Sequence, residues 1–283
     1  MSDEAPLFLT TREVAELLRV RERKVYDLAA EGAIPHRRLT GKLLFPRDAL
    51  MEWMAPDTAP RPPVLAGSHD PLLDWAVREC GSGLALLSEG SAAGLSRFAR
   101  GEAMAAGLHL PEPGGWNEAT VAAEPLREAV LITWAHRTRG LILGPAFASA
   151  STLSDLAGAR LATRSAGTGT AALWERLKHE AGLSDDALQC VGPAHSESDA
   201  AALVAEGGAD VTLGLASMAA QFSLRFAPLI TERFDLLLCR RAAFTPPLQR
   251  LLDFARGPQI REKAEALGGY DLRETGTVRW LSR

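Results

Sequence analysis

Leu7-Phe8-Leu9-Thr10-Thr11-Arg12-Glu13-Val14-Ala15-Glu16-Leu17-Leu18 opens the chain's most legible segment, which continues to Met51-Glu52-Trp53-Met54. Thr10 followed by Glu13 is the spacing of a capping box, so a helix is predicted to begin there. Val14, Leu17 and Leu18 then recur at helical spacing. Arg19-Val20-Arg21 breaks that helix. Val25, Leu28 and Ala29 give a second helix its apolar face, and Gly32 stops it. Ile34 to Phe45 reads as a hairpin turning at Thr40-Gly41, and Phe45-Pro46-Arg47-Asp48-Ala49-Leu50 starts a third helix.

Charge gives this segment a partner. Between Arg19 and Arg47 there are eight Lys or Arg and three Asp or Glu, a balance of +5 inside a chain of net charge -4. A local basic patch on an acidic protein is the electrostatic footprint of phosphate contacts. Arg21, Arg23 and Lys24 stand at the leading end of the second helix, and Arg37, Arg38 and Lys42 at the hairpin tip. These six are the expected DNA contacts. Tyr26 is added as a phosphate contact, with half-buried packing beside Val25 as its other reading.

The segment resembles the winged helix-turn-helix of the MerR/excisionase type. The resemblance is carried by Leu9–Leu18, Val25-Tyr26, Gly32-Ala33-Ile34-Pro35-His36-Arg37 and Phe45-Pro46-Arg47, about a fifth of the chain. It implies that the second helix and the wing hold double-stranded DNA. The other reading is a helical protein-interaction module with a solvated charged face.

The remaining chain is ordinary globular material, 47% hydrophobic and 23% charged. No apolar run reaches the ~18–20 residues a membrane-spanning helix needs. The acidic, polar start Met1-Ser2-Asp3-Glu4-Ala5-Pro6 predicts no secretory leader, and a cytoplasmic location is expected. Cys80, Cys190 and Cys239 lack metal or redox spacing and suit buried thiols in a reducing compartment. The six histidines are dispersed, so neither a metal nor a cofactor is expected. Four prolines in Ala55-Pro56-Asp57-Thr58-Ala59-Pro60-Arg61-Pro62-Pro63 predict an extended linker. The expected organisation is a winged helix-turn-helix domain over 1–54, a linker over 55–63 and a sensing domain over 64–283.

From Val64 the pattern alternates strand and helix. Strands are predicted at Val64–Ser68, Leu84–Ser88, Ala105–Leu110, Val130–Trp134, Leu141–Leu143, Leu161–Arg164, Asp210–Leu213 and Phe234–Cys239. Helices fall at Asp70–Cys80, near Ala92–Arg100, from Gly169 to about Ala181, at Asp199–Glu206 and from Pro246 to Leu267. The alternation predicts an α/β domain with parallel sheets covered on both faces, as one doubly wound sheet or two lobes.

Chemistry is expected at the strand-to-helix turns, where open parallel sheets bind ligands. Ser68-His69-Asp70 follows the first strand, Gly90-Ser91 the second, and His109 ends the third. Arg164-Ser165-Ala166-Gly167-Thr168-Gly169-Thr170 precedes a helix whose free amides would face an anion. The candidate ligand residues are Ser68, His69, Ser91, His109, Arg164, Thr168, Gly169 and Thr170. Six of these have a plainer reading: Ser68 as a helix cap, His109 as a structural histidine, Arg164 as the partner of a surface acid, and Thr168, Gly169 and Thr170 as turn chemistry. The two sets can meet only if two lobes face each other.

The second domain is similar to the periplasmic-binding-protein-like domain of bacterial transcription regulators, a soluble relative of molybdate-binding proteins. The similarity is carried by Ala66-Gly67-Ser68-His69-Asp70-Pro71, Gly101-Glu102-Ala103, Ala106-Gly107-Leu108-His109-Leu110 and Arg139-Gly140-Leu141-Ile142. Gly167-Thr168-Gly169-Thr170, Ala209–Gly214, Glu232-Arg233-Phe234-Asp235-Leu236 and Gly269-Tyr270-Asp271 continue it. It implies a type II fold of two α/β lobes, the second about 146–230, closing on a small anion such as molybdate or tungstate and so shifting DNA affinity. The sequence departs from that pattern at Met104, at Ala171 and at Thr163-Arg164-Ser165. An inward Arg164 would favour a carboxylate or sulfonate instead.

The resulting expectation is a ligand-responsive regulator, not an enzyme, acting as a homodimer on a two-fold DNA site without membrane association. The alternative is a two-lobed enzyme of the transferase or dehydratase class with a helical interaction head. Its candidate acids would be Glu89, Asp199 and Glu232, otherwise read as solvated. A transport binding protein is the third reading, opposed by the basic head.

Overall fold

The computed structural model describes residues 6–39, 41–54 and 60–282, apart from the side chains of Glu52 and Asp185. The chain divides into two compact units, Met1–Ala59 and Pro60–Arg283.

In the first unit, β1 (Phe8–Thr10) leads into α1 (Thr11–Leu18), followed by α2 (Glu22–Ala30), β2 (Arg37–Leu39), β3 (Lys42–Pro46) and α3 (Arg47–Met54). The capping box forms: the Glu13 amide donates to Thr10 Oγ1 at 3.3 Å, and the Thr10 amide donates to Glu13 Oε2 at 2.7 Å. Arg19 ends α1 in the left-handed conformation. Gly32 follows α2 at φ +67°, where a residue with a Cβ would be strained. The three strands pair antiparallel in the order β1-β3-β2. Val14, Ala15, Val25, Ala29, Ile34, Phe45 and Leu50 form the core. Ala15 takes the inward place expected of Leu17, which is exposed, because the buried stripe runs through consecutive positions rather than the next turn. Thr40, in the hairpin turn, and linker residues 55–59 lie outside the described residues.

Pro60–Pro63, expected as linker, belong to the second unit. The Arg61 guanidinium stacks 4.3 Å from the Phe98 ring centre, and the Ala85 amide donates to the Pro63 carbonyl.

The second unit begins with β4 (Val64–Gly67), α4 (Pro71–Glu79), β5 (Ala85–Leu87), α5 (Ser91–Ala99) and β6 (Ala105–Leu108). A small hairpin, β7 (Pro111–Glu112) and β8 (Gly115–Trp116), and α6 (Glu118–Ala123) precede the long strand β9 (Ala129–Leu143). The chain continues with β10 (Arg160–Arg164), α7 (Gly169–Glu180), β11 (Gln189–Ala194), α8 (Glu197–Ala205), β12 (Val211–Leu215) and α9 (Ala216–Gln221). It returns along β13 (Arg225–Cys239) and ends with α10 (Pro246–Phe254), α11 (Pro258–Leu267), β14 (Tyr270–Asp271) and β15 (Val278–Leu281).

Strand order is β11-β10-β12-β9-β13-β6-β4-β5, with β14 and β15 also on β9. Pairing is parallel where β4 meets β5 and β6, and where β10 meets β11 and β12. The centre is antiparallel, contrary to the all-parallel expectation. β9 and β13 pair from Arg225↔Leu143 to Cys239↔Ala129, with irregularities at Pro228/Ile230 and Phe234/Asp235. The strands expected separately at Val130–Trp134 and Leu141–Leu143 are the two ends of β9, and Phe234–Cys239 is only the second half of β13.

This topology makes two lobes that share two strands. In the first, β4, β5, β6 and the early part of β9 pack with α4, α5, α10 and α11 around Leu72, Leu73, Phe98, Trp134 and Phe234. In the second, the late part of β9 joins β10, β11 and β12 over Leu141, Leu156, Leu161, Leu173 and Val211. β11 and α9 have no counterpart in the sequence reading: β11 is exposed along most of its length, and α9 spans six residues. Cys190 lies exposed on β11, against the expectation of a buried thiol, while Cys239 is buried. No helix of the described residues is long and apolar enough to cross a membrane.

Candidate functional site

The strand-to-helix turns of both lobes meet around a cavity of about 60 Å³. Ser68, His69, Gly90 and His109 line it from the first lobe, and Arg164, Thr168, Thr170, Ser196 and Glu197 from the second. Gly90, Thr168 and Ser196 are the N-caps of α5, α7 and α8. Three helices therefore start at one small space, with the partial positive ends of their dipoles converging.

Local sequence explains the approach. A Cβ on Gly94 would lie 2.3 Å from the Gly67 Cα, so its absence lets α5 lie directly on β4. Thr168 Oγ1 accepts from the Ala171 amide, and Ser196 Oγ from the Asp199 amide, which leaves the earlier amides of α7 and α8 unpaired within their helices.

Six of the eight expected ligand residues line the cavity: Ser68, His69, His109, Arg164, Thr168 and Thr170. Ser91 and Gly169 stand behind them. Ser91 Oγ accepts from the His109 amide at 3.0 Å and lies 2.8 Å from Ser68 Oγ. Either hydroxyl can be the donor of this pair; with Ser91 donating, the Ser68 proton is the one left over for the cavity. The cap of α4 is Asp70, not Ser68: Asp70 Oδ1 accepts from the Leu73 amide at 2.7 Å. Gly169 serves packing, since a Cβ there would lie 2.6 Å from the His109 carbonyl oxygen.

Two cavity-lining side chains keep a nitrogen without a hydrogen-bond partner among the described residues, His69 Nδ1 and Arg164 Nε. Arg164 Nη1 donates to the Ala194 carbonyl at 2.8 Å, and burial lowers the guanidinium's pKa. His69 Nε2 lies 3.2 Å from Asp74 Oδ2. Burial opposes the imidazolium, but Asp74, with Glu197 and Asp70, holds the His69 pKa above its ordinary value.

Behind the cavity lies a buried ion network that the sequence did not reveal. Arg139 Nε donates to Glu232 Oε2 at 2.8 Å, and its Nη2 to Glu197 Oε1 at 2.7 Å. Arg137 pairs with Glu232 and, at 2.9 Å, with Asp70 Oδ2. Tyr270 Oη donates to the same Asp70 oxygen at 2.7 Å, and Trp134 Nε1 to Asp70 Oδ1 at 3.2 Å. His109 Nδ1 lies 3.2 Å from Glu232 Oε2, and burial lowers the His109 pKa. Burial alone would raise Glu197 and Glu232. Arg139 and Arg137 overcome it, putting Glu197 at about 2 and Glu232 well below the carboxylate range.

The acids expected of an enzyme have structural tasks. Glu232 is fully buried in that network, not solvated. Glu89 forms an ion pair with Arg97, and Asp199 closes the capping box of α8. Sequence reasoning also missed His195, Ser196 and Glu197 as cavity residues. The pair Ser196–Asp199, a capping-box spacing, was the signal available for that helix start.

In the first unit, Arg21, Arg23, Lys24, Arg37, Arg38 and Lys42 are all exposed. Tyr26 is 52% exposed, so about half of it is covered and half is open to a partner. Among the described residues, Arg12 is the cation of this unit with a side-chain ion pair, to Glu16 at 3.1 Å, while the six expected contacts have none.

Comparison with known proteins matches residues 75–256 to the family described as PBP superfamily domain, and residues 8–56 to a helix-turn-helix domain. An uncharacterized protein in the 5′ region of a ferredoxin 2Fe-2S gene of Clostridium pasteurianum is 37% identical over 79 residues, 28% of this chain and 70% of that protein. Many solved structures share the fold. A phosphate-bound substrate-binding protein of a putative phosphate transporter from Clostridium perfringens is 12% identical, with TM-score 0.53, covering 72% of this chain and 96% of its own. Corynebacterium glutamicum OxyR is 13% identical, with TM-score 0.52, covering 91% and 89%. The effector-binding domain of QuiR, in complex with shikimate, is 13% identical, with TM-score 0.50, covering 68% and 93%.

Proposed function

The chain belongs to the PBP superfamily, and on that basis we propose that it is a cytoplasmic transcription regulator that binds DNA in response to a small anion. One observation carries the reading. A helix-turn-helix unit with an uncompensated basic hairpin shares the chain with a two-lobed unit whose cavity is ringed by three helix N-caps from both lobes. The first property suits phosphate backbones and the second a compact anion.

In this reading Arg21, Arg23, Lys24, Tyr26, Arg37, Arg38 and Lys42 contact DNA. Ser68, His69, His109, Arg164, Thr168 and Thr170 surround the effector, with Ser91 and Gly169 supporting them. Candidate effectors are molybdate- or tungstate-type oxyanions, phosphate, sulfonates and small carboxylates. The ligand biases an equilibrium between open and closed lobes by its differential affinity for the two. One recognition helix reads few base pairs, so the regulator acts as a homodimer on a two-fold site. The structural employment of Glu89, Asp199 and Glu232 favours binding over catalysis.

The test is fluorescence anisotropy with a duplex from the region upstream of the protein's own gene, at two salt concentrations, with and without each anion. Thermal shift selects the anion first: at ~100 times its dissociation constant it should add about 2.7 kcal/mol of stability. Absence of DNA binding at low salt rejects the regulator, and an anion that stabilises the protein without changing DNA affinity rejects the coupling.

A further inference from the structure

We propose that Glu197 makes the cavity selective for anions that carry their own hydrogen-bond donor, an O–H on or beside the charged group. The inference rests on the reading of this cavity as an anion site and narrows what it accepts.

Glu197 opens α8 and is only 5% exposed. One carboxylate oxygen is fully engaged: Oε1 accepts from Arg139 Nη2 at 2.7 Å and from Thr170 Oγ1 at 3.0 Å. The other, Oε2, is buried without a hydrogen-bond partner among the described residues, and the residue lines the cavity. The carboxylate stays ionised because two buried guanidiniums face it. His69 and Arg164 line the same cavity, and each keeps a buried nitrogen, Nδ1 and Nε, without a partner among the described residues; both nitrogens can donate when the side chains are charged.

A ligand that satisfies all three must offer acceptor oxygens to the histidine and arginine and a proton to Glu197. Sulfate, molybdate and acetate, fully deprotonated at neutral pH, set a lone pair against a buried carboxylate oxygen, an arrangement without compensation in a site this small. Hydrogen phosphate keeps a P–O–H, and a 2-hydroxy carboxylate carries an adjacent O–H. Both have the required chemistry and differ in shape.

The experiment is isothermal titration of the full chain at neutral pH with potassium phosphate, sulfate, molybdate, glycolate and acetate. Phosphate is expected to bind at least about tenfold more tightly than sulfate and molybdate, or glycolate than acetate, as an unpaired buried charge implies. The successful pair identifies which shape fits. Sulfate or molybdate equalling phosphate, together with acetate equalling glycolate, overturns the inference and leaves the anion site standing. Binding of none of the five overturns both. Glu197→Gln keeps an acceptor for Arg139 and Thr170 and replaces Oε2 by an N–H donor. It should collapse or invert the preference, with sulfate gaining and phosphate losing, while unchanged ratios overturn the inference. If the variant does not fold by circular dichroism, the wild-type ratios decide.

Discussion

Gly169, at the start of α7 in the second lobe, touches His109, at the end of β6 in the first, so closely that a Cβ would lie 2.6 Å from the His109 carbonyl oxygen and 2.7 Å from its ring Cε1. The contact exists only because the residue is glycine. Gly169→Ala should push the lobes apart, cost about 1–3 kcal/mol by overpacking, and weaken anion binding. Denaturation and titration measure the two effects. Wild-type affinity in the variant would show that this contact is irrelevant to capture.

Arg37 and Arg38 extend from the hairpin, exposed and without an ion pair among the described residues. Replacing either with alanine should lower the slope of log affinity against log salt by about 1 for each phosphate that is no longer neutralised. The double variant should bind all sequences more weakly, and to the same degree. Equal DNA retardation of wild type and double variant would remove the hairpin from the interface.

Arg139 joins Glu232 on the shared strands to Glu197 on α8. Arg139→Ala leaves buried carboxylates short of a partner and should destabilise the protein by about 3–5 kcal/mol in denaturant unfolding. Arg139→Lys keeps the charge but not the fork and should fall between. A loss under about 1 kcal/mol in the alanine variant would assign the pairing energy to Arg137.

The depressed carboxylates also set an acid limit. A carboxylate with a lowered native pKa contributes stability above its ordinary range and loses it as pH falls through the native value. For Glu197 that window runs from the ordinary 4.5 of a glutamate down to about 2. Wild type should lose this contribution across that interval, and Glu197→Gln should show a shallower decline there in unfolding free energy.

His69 titrates in the opposite sense. Its native pKa lies above 6.5, so the charged form is favoured on folding, and its contribution is present at low pH and lost as pH rises through the native value. Glycolate does not itself titrate near neutrality, so its affinity should fall as pH rises through the native His69 value and the imidazolium is lost. His69→Gln should flatten the profile, and an unchanged slope would exclude His69 as the titrating group.

The head was legible because its signals are local. Thr10 and Glu13 form a box within four residues, and Gly32 takes the conformation its position demands. The cavity was partly legible for the same reason: Ser68, His69, Thr168 and Thr170 sit where strands turn into helices. The long strands were not. His136-Arg137-Thr138-Arg139 and Thr231-Glu232-Arg233 look like solvated breaks in apolar runs. They are mostly interior, because charges close in space and about 95 residues apart in sequence cancel each other. Periodicity reports which side chains dislike water, not which charged ones have found each other. Glu197 was lost by the same route, since its carboxylate is buried by Arg139 and Thr170 rather than by its neighbours in sequence.

β9 and β13 each run unbroken for fifteen residues through both halves of the sensing unit. Their register keeps each half's pairs together, Ala129 with Cys239 in the first lobe and Leu143 with Arg225 in the second. Among the described residues, the only chain connections between the halves are these two strands, so any swing of one half against the other must bend or twist both backbones at once.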